Sequence, residues 1–529
     1  MKSDSANRLL QQRISWLSQR SEKELTFSRG LEKEGLRTTE KGHISQTDHP
    51  TGLGSTLTHD HITTDYSEAL LEFITPVYSD PKEALEFLSQ LHQFTQEHLD
   101  DEVIWPGSMP SRIKNEGSVR IAEYGSSNIG RLKHVYRHGL WHRYGRIMQS
   151  IAGLHFNFSL AEEFWAAYQQ RPEHSDGDQS LQDFKSDQYF ALIRNFRRHS
   201  WLLMYLFGAS PATDRSFFPE KAPLQEANKR TFVAPNATSL RMSDIGYSNN
   251  AQSSLTVCFN GLKSYVSTLA EAIHTSHLPY ERIGVRMEDG YRQINTNILQ
   301  IENEYYSDIR PKRVAMSGEK PICALMKRGV EYIEVRCMDL DPFEPLGIGE
   351  QQIAFLDVFL LWCLLQDSPG ITDEECKGLR TNLQRVVNEG RDPDLKLLTD
   401  DGEQSMHSLA REMLQEIAAV AEVLDKVNDD KHYKRAVEFA VSCLDDPSQL
   451  PSAKIAKAIE DGWEYSDLMM HLAEKHKAVF AEQPLPESLR QQLEKQASLS
   501  LAQQQEMENQ TEIPFDEFIE SYQNQEPCE

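Results

Sequence analysis

Four short stretches place catalytic-type polar side chains two apart inside otherwise apolar runs. They are Leu31-Glu32-Lys33-Glu34-Gly35-Leu36, Leu70-Leu71-Glu72-Phe73-Ile74, Leu154-His155-Phe156-Asn157-Phe158 and Tyr332-Ile333-Glu334-Val335-Arg336. In a strand, alternate side chains share a face. Glu32 and Glu34 then point one way, as do His155 and Asn157, and Glu334 and Arg336. Ile333 and Val335 point the other way, as core residues should. One sheet holding these strands would carry a carboxylate-rich wall backed by an apolar layer. With Asp65, the set Glu32, Glu34, Glu72, His155 and Glu334 is rich in oxygen donors and has one imidazole, a chemistry that favours Mg2+ or Mn2+ over zinc. Carboxylates crowded together repel unless cations bind. Any one stretch alone is better read as a half-exposed antiparallel strand without function, and Lys33 puts a charge on both faces of the first. The metal reading rests on four stretches agreeing, and on their residue types.

Arginine supplies the complementary chemistry. Arg336 shares a strand face with Glu334, and Arg241 lies in Ala237-Thr238-Ser239-Leu240-Arg241-Met242-Ser243. A guanidinium grips carboxylate or phosphate through a planar fork; for either arginine alone, a salt bridge is the plainer role. The basic turn Ile309-Arg310-Pro311-Lys312-Arg313 could meet nucleotide phosphates or be a solvated loop. His134, His138 and His142 recur at helical spacing among Arg131, Lys133, Arg137 and Arg143, which reads as a basic helix face rather than a metal site, with Tyr136 on another side. There is no G-x-x-x-x-G-K-[ST], G-x-G-x-x-G, H-E-x-x-H or G-x-S-x-G, so a nucleotide would not sit on a P-loop or a Rossmann turn.

The elements that must position these residues belong to a chain of 529 residues with formal net charge -26. That charge argues against sequence-independent nucleic-acid binding and against docking to anionic lipid. The seven cysteines include no C-x-x-C pair, so reduced thiols in a cytoplasm are the simplest account. The start, Met1 to Trp16, has no apolar segment of a signal peptide. Asp80, Pro81 and Glu83 mark a helix start running to about Leu99. Ile353 to Leu365, interrupted by Asp357, reads as a buried helix too short to span a bilayer. Phe184 to Leu206 reads as one apolar helix, and Phe207 to Ser254 as loop. From Gln351 onward helical periodicity dominates, with helices expected over Glu403–Val427, Lys431–Leu444 and Leu485–Gln505. The fold class is α+β, helices surrounding an antiparallel sheet lined by the site. A catalytic core over 1–350 and a helical part over 351–529 follow, with roughly the last 20–30 residues grading into a flexible tail.

With those residues in hand, the chain closely resembles the glutamate–cysteine ligases of the gammaproteobacterial type. The matching segments include Arg29-Gly30-Leu31-Glu32-Lys33-Glu34, Ile62 to Pro76, Tyr332-Ile333-Glu334-Val335-Arg336, Leu299-Gln300-Ile301-Glu302-Asn303-Glu304, Ile309 to Arg313, Tyr205 to Pro211 and Ala237 to Arg241. The similarity runs from about Leu25 to past Phe355 and thins in the helical part. The resemblance implies ATP-dependent joining of the L-glutamate γ-carboxylate to the L-cysteine amine, the first step of glutathione synthesis, on a catalytic core akin to glutamine synthetase. It implies two or three Mg2+ ions, with Mn2+ an alternative, on Glu32, Glu34, Asp65, Glu72, His155 and Glu334. Arg241 and Arg336 match arginines that hold glutamate and the transferred phosphoryl group. Tyr136, Tyr247 and Tyr306 match a cysteine pocket, and Gln149, Ile151 and Asn157 match positions near glutamate. Arg310 and Lys312 are the expected nucleotide contacts. A cytoplasmic monomer is expected, with glutathione as a feedback inhibitor and neither nucleic acid nor membrane as a partner. Gly35 departs from the pattern, where threonine is usual. Two other readings stay open: a ligase of the same fold with another amine acceptor, and a non-catalytic acidic metal-binding scaffold.

Overall fold

The computed structural model describes residues 4–174, 178–218, 222–246, 255, 257–288, 290–316, 319–429, 431–510 and 513–524. Its centre is a seven-stranded sheet of β1 (Phe27–Thr39), β2 (Ile62–Thr64), β3 (Leu70–Ile74), β4 (Glu102–Ile104), β5 (Leu154–Leu160), β6 (Ile309–Lys312) and β7 (Tyr332–Met338). The order is β6-β7-β5-β1-β3-β2, with β4 also paired to β1, and every pairing is antiparallel. This is the α+β architecture expected, a sheet surrounded by helices.

Register decides which side chains share a face. Glu34 lies opposite Glu72, Glu32 opposite His155, Asn157 opposite Glu334, and Glu334 opposite Arg310. One face of the sheet therefore carries the whole polar set. The other carries Leu31, Phe73, Leu154, Phe156, Phe158, Ile333 and Val335, all buried without measurable exposure. Lys33 falls on that apolar face. It is buried, and among the described residues its Nζ meets the ring of His92, at 2.9 Å; burial pushes its pKa down to about 7. A Cβ added at Gly35 would stand 2.8 Å from Ile104 Cγ2 on β4, so the neighbouring strand leaves little room for a larger residue there.

The helix Glu350–Leu365 is apolar all round and buried along almost its whole length, as such a helix must be. Asp357, the interruption in its sequence, pairs with Arg29 of β1 (Nη2 to Oδ2, 2.6 Å), and the Arg29 guanidinium also donates to the Tyr433 hydroxyl. The buried pair joins the sheet to the C-terminal helices Met406–Asn428 and His432–Asp445, whose apolar faces belong to the same core. The Pro81–Gln96 helix begins as expected, with the Asp80 side chain accepting from Lys82 N.

Some expectations shift. The apolar run from Phe184 is two helices, Leu181–His199 and Trp201–Phe207. Within Phe207 to Ser254, strands Ala212–Asp214, Gln225–Asn228 and Thr231–Val233 form a small sheet of their own; each is too short to show a period. Near the C-terminus, the helix Phe515–Gln523 packs Phe515 and Ile519 against Val135 and Ile294. Among the described residues no helix is long and apolar enough to cross a membrane.

Candidate active site

The polar face of the sheet is a continuous array. Asn157 Nδ2 donates to Glu32 Oε1 at 2.8 Å, and His155 Nδ1 lies 3.2 Å from Glu32 Oε2. His155 also stands 3.9 Å from Glu34 and 3.8 Å from Glu334. Ligand atoms of Glu32, Glu72 and His155 fall within 4.8 Å of one another, a spacing that one cation could bridge. Asp65 follows β2 directly and is held by its backbone N–H on the Leu70 carbonyl. Its charge bears on both Glu34 and Glu72.

The electrostatics show strain that a cation would relieve. Burial, then the charges of Glu32, Asp65 and Glu34, push Glu72 well above the usual carboxylate range. Burial and Asp65 push Glu34 up to about 8, although Gly153 N–H donates to it. Glu334 behaves oppositely: burial opposes its charge, but Arg336, Lys312, His155 and Arg310 outweigh burial and hold it well below the usual range. Its Oε1 lies 3.1 Å from Arg336 and 3.3 Å from Lys312, while Oε2 is buried with no hydrogen-bond donor among the described residues. Buried oxygens without donors are costly.

Two arginines border the carboxylates. The ladder between β5 and β7 shifts register between Val335 and Met338, a device that re-aims side chains. There the Arg336 carbonyl accepts from Arg241 Nη2 at 2.9 Å. Arg241 is buried, and a Cβ on Gly153 would overlap its guanidinium at 2.1 Å, so glycine at 153 makes its seat. Behind it Asp339, 3.8 Å from Arg241 Nη1, accepts from Ala209 N, Ser210 Oγ and Ser239 Oγ.

These groups line a cavity of about 150 Å3. Glu34, Asp65, Glu304 and His155 line it together with Arg137, Arg241, Arg310 and Arg336, and so do Tyr136, Gln149 and Tyr306. Burial pushes the Tyr306 hydroxyl up to about 12, so it stays protonated. Glu32, Glu72 and Glu334 lie on the adjoining sheet face. Asn157 is there too, bonded to Glu32, and Ile151 is buried in the apolar core. Tyr247 lies outside the described residues. A second cavity, about 270 Å3, opens beside Glu334, with Lys312 and Arg310 in its wall. His134, from the histidine row, contacts the Ala122 carbonyl and Glu123.

Sequence reading missed Tyr66, Arg137, Tyr144 and Asn303 in the first cavity. Tyr66 and Arg137 directly follow the named Asp65 and Tyr136, so adjacency was a usable signal. Asn303 lies in the matched segment Leu299 to Glu304, so the resemblance pointed to it; Tyr144 carried no signal.

A family model described as glutamate-cysteine ligase matches residues 14–386. A Hahella chejuensis protein named glutamate–cysteine ligase is 50% identical over 500 residues, covering 93% of this chain and 95% of that relative. One of the same name from Azotobacter vinelandii is 47% identical over 496 residues, covering 93% and 94%. A crystal structure titled as the Francisella tularensis glutamate–cysteine ligase in complex with AMP matches with a TM-score of 0.89 at 39% identity, covering 95% of this chain and 99% of that one. A bifunctional glutathione synthetase from Pasteurella multocida matches with a TM-score of 0.71 at 27% identity, covering 90% of this chain and 55% of that one. The chain belongs to the glutamate–cysteine ligase family.

Proposed function

We propose that this protein joins the γ-carboxylate of L-glutamate to the amine of L-cysteine at the expense of ATP, giving γ-L-glutamyl-L-cysteine, ADP and phosphate, the first step of glutathione synthesis. The observation that supports the site assignment is the meeting of carboxylates, His155 and four arginines around one cavity. Relatives at up to half identity bear the ligase name, and one is titled as an AMP complex.

The residues fit a hard divalent cation. Glu32, Glu72 and His155 converge, Glu72 is strained upward by like charges, and Glu334 Oε2 lacks a donor. Glu32, Glu72 and His155 would hold one Mg2+, with Glu34, Asp65 and Glu334 available to one or two more; Mn2+ suits the same donors. Bound there, the metal would neutralise the phosphate charge of ATP.

The chain's own groups then position the reactants. Lys312 and Arg310 face the nucleotide from the second cavity, and Arg336 and Arg241 grip the glutamate carboxylates and the transferring phosphoryl group. Phosphoryl transfer depends on such placement and charge neutralisation. The γ-carboxylate attacks the γ-phosphorus, ADP leaves, and γ-glutamyl phosphate forms. The cysteine amine, deprotonated, attacks the acyl carbon, and phosphate leaves. Tyr136 and Tyr306 border the acceptor, and Gln149 faces the glutamate; the family resemblance assigns Tyr247 to the acceptor and Ile151 and Asn157 to the surroundings of the glutamate. Burial of the cavity keeps water from the acyl phosphate.

The named site residues all precede residue 350, in keeping with a catalytic core over 1–350 and a helical part over 351–529. A cytoplasmic monomer open to inhibition by glutathione completes the proposal. The test is ADP release with L-glutamate and, in turn, L-cysteine, L-serine and 2-aminobutyrate, with the product identified by mass. A clear preference for cysteine is expected. Equal use of other amines would point to another acceptor, and a folded protein that releases no ADP with any amine would leave a scaffold.

A further inference from the structure

The second cavity has a mixed wall. Tyr265, Leu269, Ile322, Leu325 and Tyr332 make it apolar, and Arg310 and Lys312 stand on the side toward Glu334. Among its described lining residues there is one acid, Glu302. The residue is 7% exposed, and it also borders a neighbouring cavity of about 200 Å3 with Gln300, Lys320 and Tyr522. A carboxylate can accept about four hydrogen bonds. Among the described residues the Glu302 side chain has one hydrogen-bond donor, the backbone N–H of Ile322 at a long 3.4 Å, and no lysine or arginine within ion-pairing distance. A carboxylate on the wall of a ligand-sized cavity with one long hydrogen bond has lone pairs open to donors from what occupies that cavity.

We propose that Glu302 selects the purine. It accepts a hydrogen bond from the exocyclic 6-amino group of adenine and rejects bases that carry an oxygen there, because two acceptors would then face each other without a proton. This rests on the reading that the cavity takes the base of the nucleotide whose phosphates meet Lys312. The apolar walls suit the faces of a flat heteroaromatic ring, and Glu302, the one acid among the described lining residues, supplies the discrimination at its edge beside Asn303 and Arg313. A purely structural role is available to the same residue, since Ile322 lies in the first turn of the helix Pro321–Arg328 and Glu302 could serve only to cap it. The two roles separate cleanly: loss of a cap lowers stability but leaves base preference unchanged.

The experiment compares ATP with ITP, whose hypoxanthine has an oxygen at position 6 and no 2-amino group. Both kcat/KM and calorimetric Kd are measured for the full-length wild type, Glu302→Gln, Glu302→Asp and Lys312→Met. The wild type is expected to favour ATP over ITP. The glutamine amide can donate to the hypoxanthine oxygen as well as accept from adenine, so Glu302→Gln is expected to shrink the ATP:ITP ratio about tenfold, the discrimination typical of one well-placed base contact. Glu302→Asp keeps the charge and should still exclude ITP while binding ATP more weakly, which covers the case of a glutamine variant that does not fold. A wild type indifferent to the base, or a ratio within twofold of wild type in a folded Glu302→Gln protein of lowered thermal stability, overturns the proposal and assigns Glu302 to the helix cap. Lys312→Met tells the two levels apart. If it weakens ATP while Glu302→Gln leaves the ratio alone, only the base-selecting role is lost. If neither variant moves any nucleotide parameter, the cavity is not the nucleotide site.

Discussion

Replacing Glu72 by glutamine should reverse the sign of its effect on stability when a divalent cation is added. In the metal-free protein Glu72 is a buried carboxylate beside Glu32, Asp65 and Glu34, and those charges with burial hold it well above its usual range. Two like charges at 4.8 Å, the spread of the Glu32, Glu72 and His155 ligand atoms, repel by about 3.5 kcal/mol at an effective dielectric of 20. Glutamine keeps the shape and removes the charge, so Glu72→Gln in EDTA should be more stable than wild type, by up to about 3 kcal/mol after the same screening. Mg2+ at a hundred times its Kd should then stabilise the wild type by about 2.7 kcal/mol. The variant, with a weaker ligand and less negative charge, should gain a fraction of that. The assay is thermal unfolding of both proteins across a Mg2+ titration starting in EDTA, with Ca2+ and K+ as controls. Equal Mg2+ responses, or a variant already less stable in EDTA, would refute the view that these carboxylates are held together for a cation.

Other outcomes follow from single contacts. Asp357→Ala strands the Arg29 guanidinium in the core and should cost about 3–5 kcal/mol, whereas the double change Arg29→Met with Asp357→Leu should recover most of it; urea unfolding midpoints decide. Asp339→Asn removes the charge that seats Arg241 while keeping its shape, and should lower kcat/KM for glutamate by about a hundredfold in a folded protein, read by steady-state kinetics against the circular dichroism of the variant. Lys33→Met replaces a buried lysine that has no carboxylate partner among the described residues and should raise the urea midpoint, a gain of about 1–3 kcal/mol; a lower midpoint would mean that Lys33 contributes through its contact with His92.

Strand faces were legible in the sequence because alternation is local. Glu32 with Glu34, His155 with Asn157, and Ile333 with Val335 fall on the faces their spacing indicates, since nothing but the pleat is needed to place them. Neighbour order was not legible. β1 pairs with β5 across more than a hundred residues, and no local pattern says that Glu32 will meet His155; the family resemblance supplied that link. Lys33 looked like a flaw in a strand, and it is instead a cation tolerated on the core face beside His92. Asp357 looked like an interruption in a buried helix, and its reason, Arg29, lies on another element. Asn303 and Tyr144 enter the cavity from a three-residue 3-10 helix and the end of an α-helix, where side-chain direction depends on packing that no periodicity records. Asp339 was invisible for the same cause: its partners, Ser210, Ser239 and Arg241, come together only in the fold.

The most direct test is to crystallise the protein with ADP and Mn2+ and to locate the metal by anomalous scattering. Peaks seated among Glu32, Glu72 and His155, with nucleotide phosphates between them and Lys312, are the predicted result. Mn2+ bound away from the sheet face, or ADP lodged elsewhere while Glu32 and Glu72 turn to water, would contradict the assignment of the carboxylate wall as the catalytic platform.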